Sequence, residues 1–230
     1  MQGYGQFCPV SKACEILGER WTILILRELL MGATRYHELQ RTLRHISPTV
    51  LVKRLNTLVD CGLVVRTAVP GQRRHEYRLT AAGRELQPVV MGIGEWGMRW
   101  ARGQMTDDEL DVEHLMVYVC RTIRGERLPG GRLVLEFHFS DLGQFRDWWV
   151  VVTDGEADLC VDPPADPADV RFVCDVRTMV EVWMGDLPLR DARRQGLLKL
   201  QGQPGLLRDV GSWLGLSIFA GVERPRPDAG

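Results

Sequence analysis

The sequence predicts two domains: a mainly α unit over residues 1–104 and an α+β unit over residues 105–222. Three observations carry this. Charge is divided, with 15 Lys or Arg against 8 Asp or Glu in residues 1–104, a balance of +7, and 14 against 22 in residues 105–230, a balance of −8. Helical apolar periods fill most of the first part and run into a β-hairpin pattern. In the second part strand patterns come first and helices follow. With 230 residues and 45% hydrophobic content the chain is long and apolar enough for two cores.

Lys12–Leu17 reads as a short helix. Arg20–Leu30 carries Trp21, Ile23, Leu24, Ile25, Leu26, Leu29 and Leu30 on nearly every face, the pattern of a central buried helix. Gly32 supplies a stop, and Thr34 is placed to cap a helix over Arg35–Leu43. Tyr36, Leu39 and Leu43 then point inward and His37, Glu38 and Arg41 outward.

Four residues on, Ser47 at a cap and Pro48 at the first helical position open the helix Pro48–Asp60. Two short helices so closely joined form a helix-turn-helix. The helical period puts Leu51, Leu55 and Leu58 on one stripe and Thr49, Lys53, Asn56 and Thr57 roughly opposite. Hydroxyls and an amide can hydrogen-bond base edges, and Lys53 can reach guanine acceptors or phosphate. Amphipathicity alone is common to surface helices, so the continuation decides. Cys61-Gly62 ends the helix, Leu63–Val69 and Arg73–Leu79 read as strands, and Pro70-Gly71-Gln72 as the turn between them. Arg73 and Arg74 lie at the tip of this wing, where guanidiniums can follow phosphate or enter a minor groove. Ser47, Thr49, Val50, Lys53, Arg54, Asn56, Arg73 and Arg74 are the expected DNA-contacting residues.

Thr80 is positioned to cap a helix reaching Arg102, with Leu86, Val89, Val90, Ile93, Trp96, Gly97 and Trp100 at three- and four-residue steps and a kink at Pro88. So small a domain has little core left to cover that stripe. A second copy is the expected cover, the C-terminal domain the competing one. Pairing two copies through Thr80–Arg102 would set two reading helices about 34–36 Å apart, one turn of duplex.

These residues resemble the HxlR family of winged helix-turn-helix regulators. The resemblance runs from about Cys8 to Trp100 through C-P at Cys8-Pro9, G-E-R-W at Gly18–Trp21, R-Y-H-E-L at Arg35–Leu39, I-S-P-T-V-L-V-K-R-L at Ile46–Leu55, L-V-D-C-G-L-V at Leu58–Val64 and E-Y-R-L-T-A-A-G-R-E-L at Glu76–Leu86. It implies homodimers that bind pseudo-palindromic operators in double-stranded DNA and regulate nearby genes. Some members of that family sense oxidants or electrophiles with a cysteine at the position of Cys8, which makes it the candidate redox sensor here, beside the favoured reading of a structural thiol. The wing, V-P-G-Q-R-R-H-E-Y, departs from the usual family form, so its contacts transfer less safely than those of the helix.

In the second domain Thr106 and Glu109 form a capping-box pattern opening a helix through about Cys120. Strands follow at Arg132–Phe139, Arg146–Thr153, Glu156–Asp162 and Val170–Asp175, with Asp154-Gly155 as a hairpin turn and Asp162–Asp169 as a proline-bearing loop. Helices are expected at Thr178–Met184, Pro188–Arg194 and Pro204–Leu214, with a strand at Leu197–Gln201 between the last two. Antiparallel strands followed by helices make an α+β domain. Arg224–Gly230 reads as a frayed tail.

This order, with W-W-V-V-V-T-D-G-E-A-D-L at Trp148–Leu159, Met184-Gly185, R-D-A-R-R-Q-G-L-L-K-L-Q-G at Arg190–Gly202 and L-L-R-D-V at Leu206–Val210, resembles the sterol-carrier-protein-2-like domain over roughly residues 110–220. The resemblance implies an apolar tunnel for lipophilic molecules. Phe137, Trp149, Met179, Trp183 and Leu206 are its candidate lining, with plain core packing as the competing reading.

Nothing in the sequence points to catalysis, a metal or a cofactor: His114 and His138 stand alone, and neither a glycine-rich phosphate loop nor a nucleophile elbow is present. Six cysteines are scattered without C-x-x-C spacing, four of them in or beside apolar runs and Cys8 and Cys14 near the start. No apolar run reaches membrane-spanning length and Met1–Val10 lacks the pattern of a signal peptide, so the expected setting is cytoplasmic with no membrane partner. The function expected is a sequence-specific, homodimeric transcriptional regulator whose operator binding responds to an apolar small molecule. The alternative is a lipid-binding protein whose first domain serves mainly to dimerise.

Overall fold

The computed structural model describes residues 3–69, 71, 74–104 and 106–223, so most of the expected wing turn and the expected tail Arg224–Gly230 lie outside the described residues. The chain divides into two compact units, Met1–Trp96 and Gly97–Gly230, each with its own apolar core.

The first unit is four helices, a hairpin and two further helices, the last of which ends just past the boundary: α1 (Pro9–Leu17), α2 (Thr22–Leu30), α3 (Tyr36–Thr42), α4 (Pro48–Asp60), β1 (Val64–Ala68), β2 (His75–Leu79), α5 (Ala81–Glu85) and α6 (Gln87–Trp100). Ile25 and Leu26 of α2, Leu39 of α3 and Leu51, Leu55 and Leu58 of α4 are fully buried together. Val64 from β1 and Tyr77 and Leu79 from β2 close this core.

Several boundaries differ from the sequence expectation: α1 starts at Pro9 rather than Lys12, with the proline in its first turn where no N–H is needed, and those that follow differ for local reasons as well. Trp21 has φ 81°, a left-handed backbone, so α2 starts at Thr22 rather than Arg20. Thr34 does not cap α3; Glu38 reaches back, its carboxylate accepting the backbone N–H of Thr34 at 2.8 Å and of Arg35 at 3.0 Å. The Thr34 carbonyl instead accepts the N–H of Tyr77 at 2.7 Å, which ties the approach to α3 onto the wing. The long helix after Thr80 is two helices, parted at Leu86. Pro88 accounts for the break, because its ring crowds the carbonyl four residues back and supplies no N–H. The Thr80 hydroxyl caps α5 as expected, accepting from Gly83 N–H at 3.1 Å.

The second unit holds α7 (Val112–Thr122), β3 (Arg132–Phe139), β4 (Asp147–Thr153), β5 (Glu156–Cys160), β6 (Val170–Cys174), α8 (Val176–Met184), α9 (Leu189–Arg194), β7 (Lys199–Gly202), α10 (Pro204–Arg208) and α11 (Val210–Trp213). The capping box at Thr106 is formed, with Glu109 accepting its N–H at 2.8 Å, but it closes only the 3-10 turn Asp107–Glu109. Asp111 caps the α-helix itself, accepting from His114 N–H at 3.1 Å. The stretch after Gln203 is likewise two short helices rather than one.

The five strands form one sheet in the order β5-β4-β3-β6-β7, and it is mixed rather than antiparallel: β6 runs parallel to β3, with Phe137 opposite Phe172. After β5 the chain must travel back along the sheet before it can pair on the far side of β3. Residues 161–169 make that return, and Asp169 anchors its end. Its N–H donates to the Val134 carbonyl at 2.8 Å, and its carboxylate accepts from Val134 N–H at 2.8 Å and from Gln203 at 2.6 Å.

Candidate nucleic-acid interface

Helix α4 is fixed at its start by Ser47, whose hydroxyl accepts the N–H of Val50 at 3.3 Å, and by Pro48 in the first turn. Leu51, Leu55 and Leu58 are fully buried and hold one side. Thr49, Lys53 and Asn56 are exposed on the other. Thr57, expected beside them, is half-buried, and its hydroxyl donates to the Lys53 carbonyl at 3.0 Å.

Other expected contacts lie elsewhere. At 100° per residue Arg54 sits roughly 140° round the helix from Thr49, closer to the packed stripe than to the open face. Its side chain is only 13% exposed, donates through Nε to the Arg20 carbonyl at 3.1 Å, and is paired with the Glu19 carboxylate. Val50 is half-buried and packs against the core. Ser47 is exposed but committed to its cap. These three position the helix. Val52, by contrast, is 44% exposed on the open face beside Thr49 and Asn56, and is not among the residues the sequence singles out. A branched apolar side chain there can meet a thymine methyl. Its place on the helical wheel is the signal that could have found it.

The hairpin is in register from Val64 opposite Leu79 to Ala68 opposite His75. Arg74 is exposed at its tip, while Arg73 lies outside the described residues. Arg66 and Arg78 extend the basic character along the wing, Arg66 donating to Nδ1 of His75 at 3.1 Å and Arg78 to Glu76 at 2.7 Å.

On α6, Val89, Ile93, Trp96 and Trp100 follow one another at steps of four, three and four residues and are each about half exposed, Trp96 at 59% and Trp100 at 55%. Cys8 sits at the start of α1. The backbone N–H groups of Ser11, and then of Val10, face its sulfur and lower its thiol pKa below the usual value. All six cysteines are free thiols.

In the second unit Phe137, Met179 and Leu206 lie inside the packed core. Phe137 stacks on Phe172 with centroids 4.5 Å apart, and Phe172 meets the fully buried Trp213 edge-on at 6.0 Å. Trp183 is half-buried and donates to the Thr122 hydroxyl at 3.0 Å. Trp149 lies outside the core: strand alternation sends Trp148, Val150 and Val152 into it and Trp149 to the opposite face, across from Glu136. Trp213, which the sequence does not single out, takes the central aromatic position.

Among the described residues no helix is long and apolar enough to cross a membrane. Comparison with known proteins gives two family matches, HxlR-like helix-turn-helix over residues 16–105 and SCP-2 sterol transfer family over residues 123–214. The HTH-type transcriptional regulator Mb3122 of Mycobacterium bovis is 46% identical over 89 residues, 38% of this chain and 56% of that relative. The match thus spans little more than half of the mycobacterial protein's length. Among solved structures, the reduced form of the transcriptional regulator YodB from Bacillus subtilis is 31% identical, covers 43% of this chain and 98% of its own, and has a TM-score of 0.38. The HTH-type transcriptional regulator YvaP of B. subtilis is 38% identical over 97 residues, which are 41% of this chain and 90% of YvaP. Beside the match to the SCP-2 sterol transfer family over residues 123–214, the fit of its first hundred residues to nearly the full length of YvaP shows that the chain belongs to the HxlR-like helix-turn-helix family.

Proposed function

We propose that this chain is a sequence-specific DNA-binding transcriptional regulator that works in the cytosol as a homodimer, α4 reading bases in the major groove and the wing holding the backbone. One observation carries the reading: Thr49, Val52, Lys53 and Asn56 stand exposed together on a helix whose opposite side is locked into the core. Selecting bound duplexes from a random pool tests it. The expected winners share a two-fold site, and Asn56→Ala or Lys53→Ala loses about 1–3 kcal/mol on that site wherever a base contact is lost. Equal affinity for random duplex, unchanged by both substitutions, would end the reading.

The homodimer rests on the half-exposed stripe of α6, four large apolar side chains including two indoles on one helix face. Two such faces brought together remove from water what a single copy leaves wet. The second domain is read as the sensor for an apolar small molecule, supported by its family and its largely apolar interior. A ligand that prefers the folded state must raise its melting temperature, so delipidated protein is titrated with fatty acids and isoprenoids while affinity for the selected duplex is followed. A thermal shift with no change in DNA affinity favours instead the lipid-binding protein with a dimerising first domain. Cys8, with its lowered thiol pKa, is the residue on which an oxidant response would act.

A further inference from the structure

A cleft of about 250 Å³ opens between the start of α3, which lines it with Arg35 and Tyr36, and the wing, which lines it with Val69, Arg74 and Tyr77. We propose that this cleft is an effector site of the first unit that takes a small aromatic carboxylate, one ring bearing one acid group, and that its occupancy sets the stance of the wing. The first unit then has a chemical input of its own, apart from the sensor read into the second domain. Binding in the cleft stands by itself, while its effect on operators rests on the DNA-binding reading above.

Size sets the first limit. Pockets for drug-sized ligands hold about 300–1,000 Å³, so this one suits a single ring and not a fused ring system or a long acyl chain. Tyr36 and Tyr77 bring two aromatic side chains to the lining and Val69 a branched aliphatic one, apolar surface against which a ring can pack. Charge supplies the acid group. Among the described residues Glu76 is the one carboxylate on the lining, and Arg78 takes it at 2.7 Å, while Arg35 comes only to 4.0 Å. The exposed guanidiniums of Arg35 and Arg74 therefore outweigh the negative charge left there, and their planar forks match a carboxylate. At His75, also on the lining, Nδ1 faces the Arg66 guanidinium at 3.1 Å, which can only donate. Nδ1 must accept, so the ring proton sits on Nε2 as a further donor. A bare inorganic anion would leave the aromatic surface wet, and a neutral ring would leave the cations unmatched. The two walls are tied at one side, where the Thr34 carbonyl accepts the Tyr77 N–H at 2.7 Å and a backbone bridge joins Arg35 to Glu76. A molecule wedged beside that tie acts on the angle between the wing and α3.

In the experiment, full-length protein is titrated by calorimetry with benzoate, phenylacetate and 4-hydroxybenzoate, and with acetate, benzamide and inorganic phosphate at matched ionic strength. At least one of the aromatic acids should bind once per chain, about tenfold or more tighter than the other three probes, and Arg35→Gln and Arg74→Gln should each weaken it about tenfold. Val69→Glu, which sets a carboxylate on an apolar wall, should abolish it and serves where another variant melts early. Three results each overturn the site: no binding by any aromatic acid, equally tight binding of acetate or phosphate, or binding indifferent to all three variants, which puts the acid elsewhere in the chain. Affinity for the selected duplex is then measured with and without the acid that binds. A change in the wild type that is lost in Arg74→Gln supports the effector role. An acid that binds and leaves duplex affinity unchanged overturns that role and spares the cleft. Failure of the wild type to bind any duplex overturns the DNA reading and the effector role with it, while the calorimetry still decides the cleft.

Discussion

Arg54 of α4 reaches back to Glu19, and in doing so pins the turn before α2 to the helix proposed to read bases. The same guanidinium holds the Arg20 carbonyl at 3.1 Å, next to the left-handed Trp21. An arginine that the sequence offers as a DNA contact is thus spent on orienting the reader. Arg54→Ala should cost about 1 kcal/mol of stability in chemical denaturation and weaken every duplex alike, and Arg54→Lys should rescue little, since one ammonium cannot match the fork. Relaxed preference at a single base pair with unchanged stability would return Arg54 to the groove.

Gly83 makes a sharper test of packing. A Cβ there would stand 2.2 Å from the Leu63 carbonyl and 3.0 Å from a Leu79 methyl, so α5 could not stay against the base of the hairpin. Gly83→Ala is expected to destabilise the first unit by about 2 kcal/mol or more. A Cβ at Gly92 would meet nothing within 4 Å, and the residue sits inside α6, so the same change there should gain about 0.5–1 kcal/mol. Thermal melts of the two variants should move in opposite directions.

The α6 stripe gives a prediction about assembly. Trp96→Glu puts a charge where the proposed partner's stripe would lie, and sedimentation should show monomer at concentrations where the wild type is dimeric. Affinity for a two-fold site should fall far more than affinity for a half-site. Sedimentation unchanged by Trp96→Glu and Ile93→Glu together would remove the stripe as the dimer face.

The thiols should separate by pH. Cys8, its thiolate favoured by the Ser11 and Val10 N–H groups, is expected to alkylate first, with a rate that levels off at lower pH than an ordinary thiol. Cys174 is pushed up from 9.0 to about 12, chiefly by burial and then by the charges of Asp175 and Asp141. Its raised value means that the folded state holds a proton the unfolded chain releases. The stability linked to it is complete below pH 9.0 and is lost as pH climbs from 9.0 toward about 12. Mass-mapped alkylation and melts of the wild type against Cys174→Ala in that range check both statements.

Local signals in the sequence carry much of the first unit. Ser47-Pro48 marks the start of α4 because cap and first-turn proline are read within two residues, and the leucine period marks its buried side. The direction of Arg54 depends on Glu19, thirty-five residues away, which no local pattern reveals. In W-W-V-V-V both phases of strand alternation are apolar, so the sequence cannot choose between Trp148 and Trp149; pairing with β3 does. The parallel β3–β6 pair is hidden for a related reason, because register across a sheet is settled by where a loop such as 161–169 delivers the chain. The capping box at Thr106 is a true cap, but of a single 3-10 turn, and the long helix waits for Asp111.

The break between α5 and α6 has a consequence for operator geometry. Helix α5 is bound to the foot of the wing through Thr80 and Gly83, and α6 bears the stripe by which two copies are proposed to pair. Should two copies pair as proposed, Leu86 and Pro88 would form the joint of a pair of calipers, and the angle between α5 and α6 would set how many base pairs lie between half-sites. Replacing Pro88 would alter the ruler while leaving the alphabet of α4 untouched, so the spacing of a preferred operator can change without any change in the bases it contains.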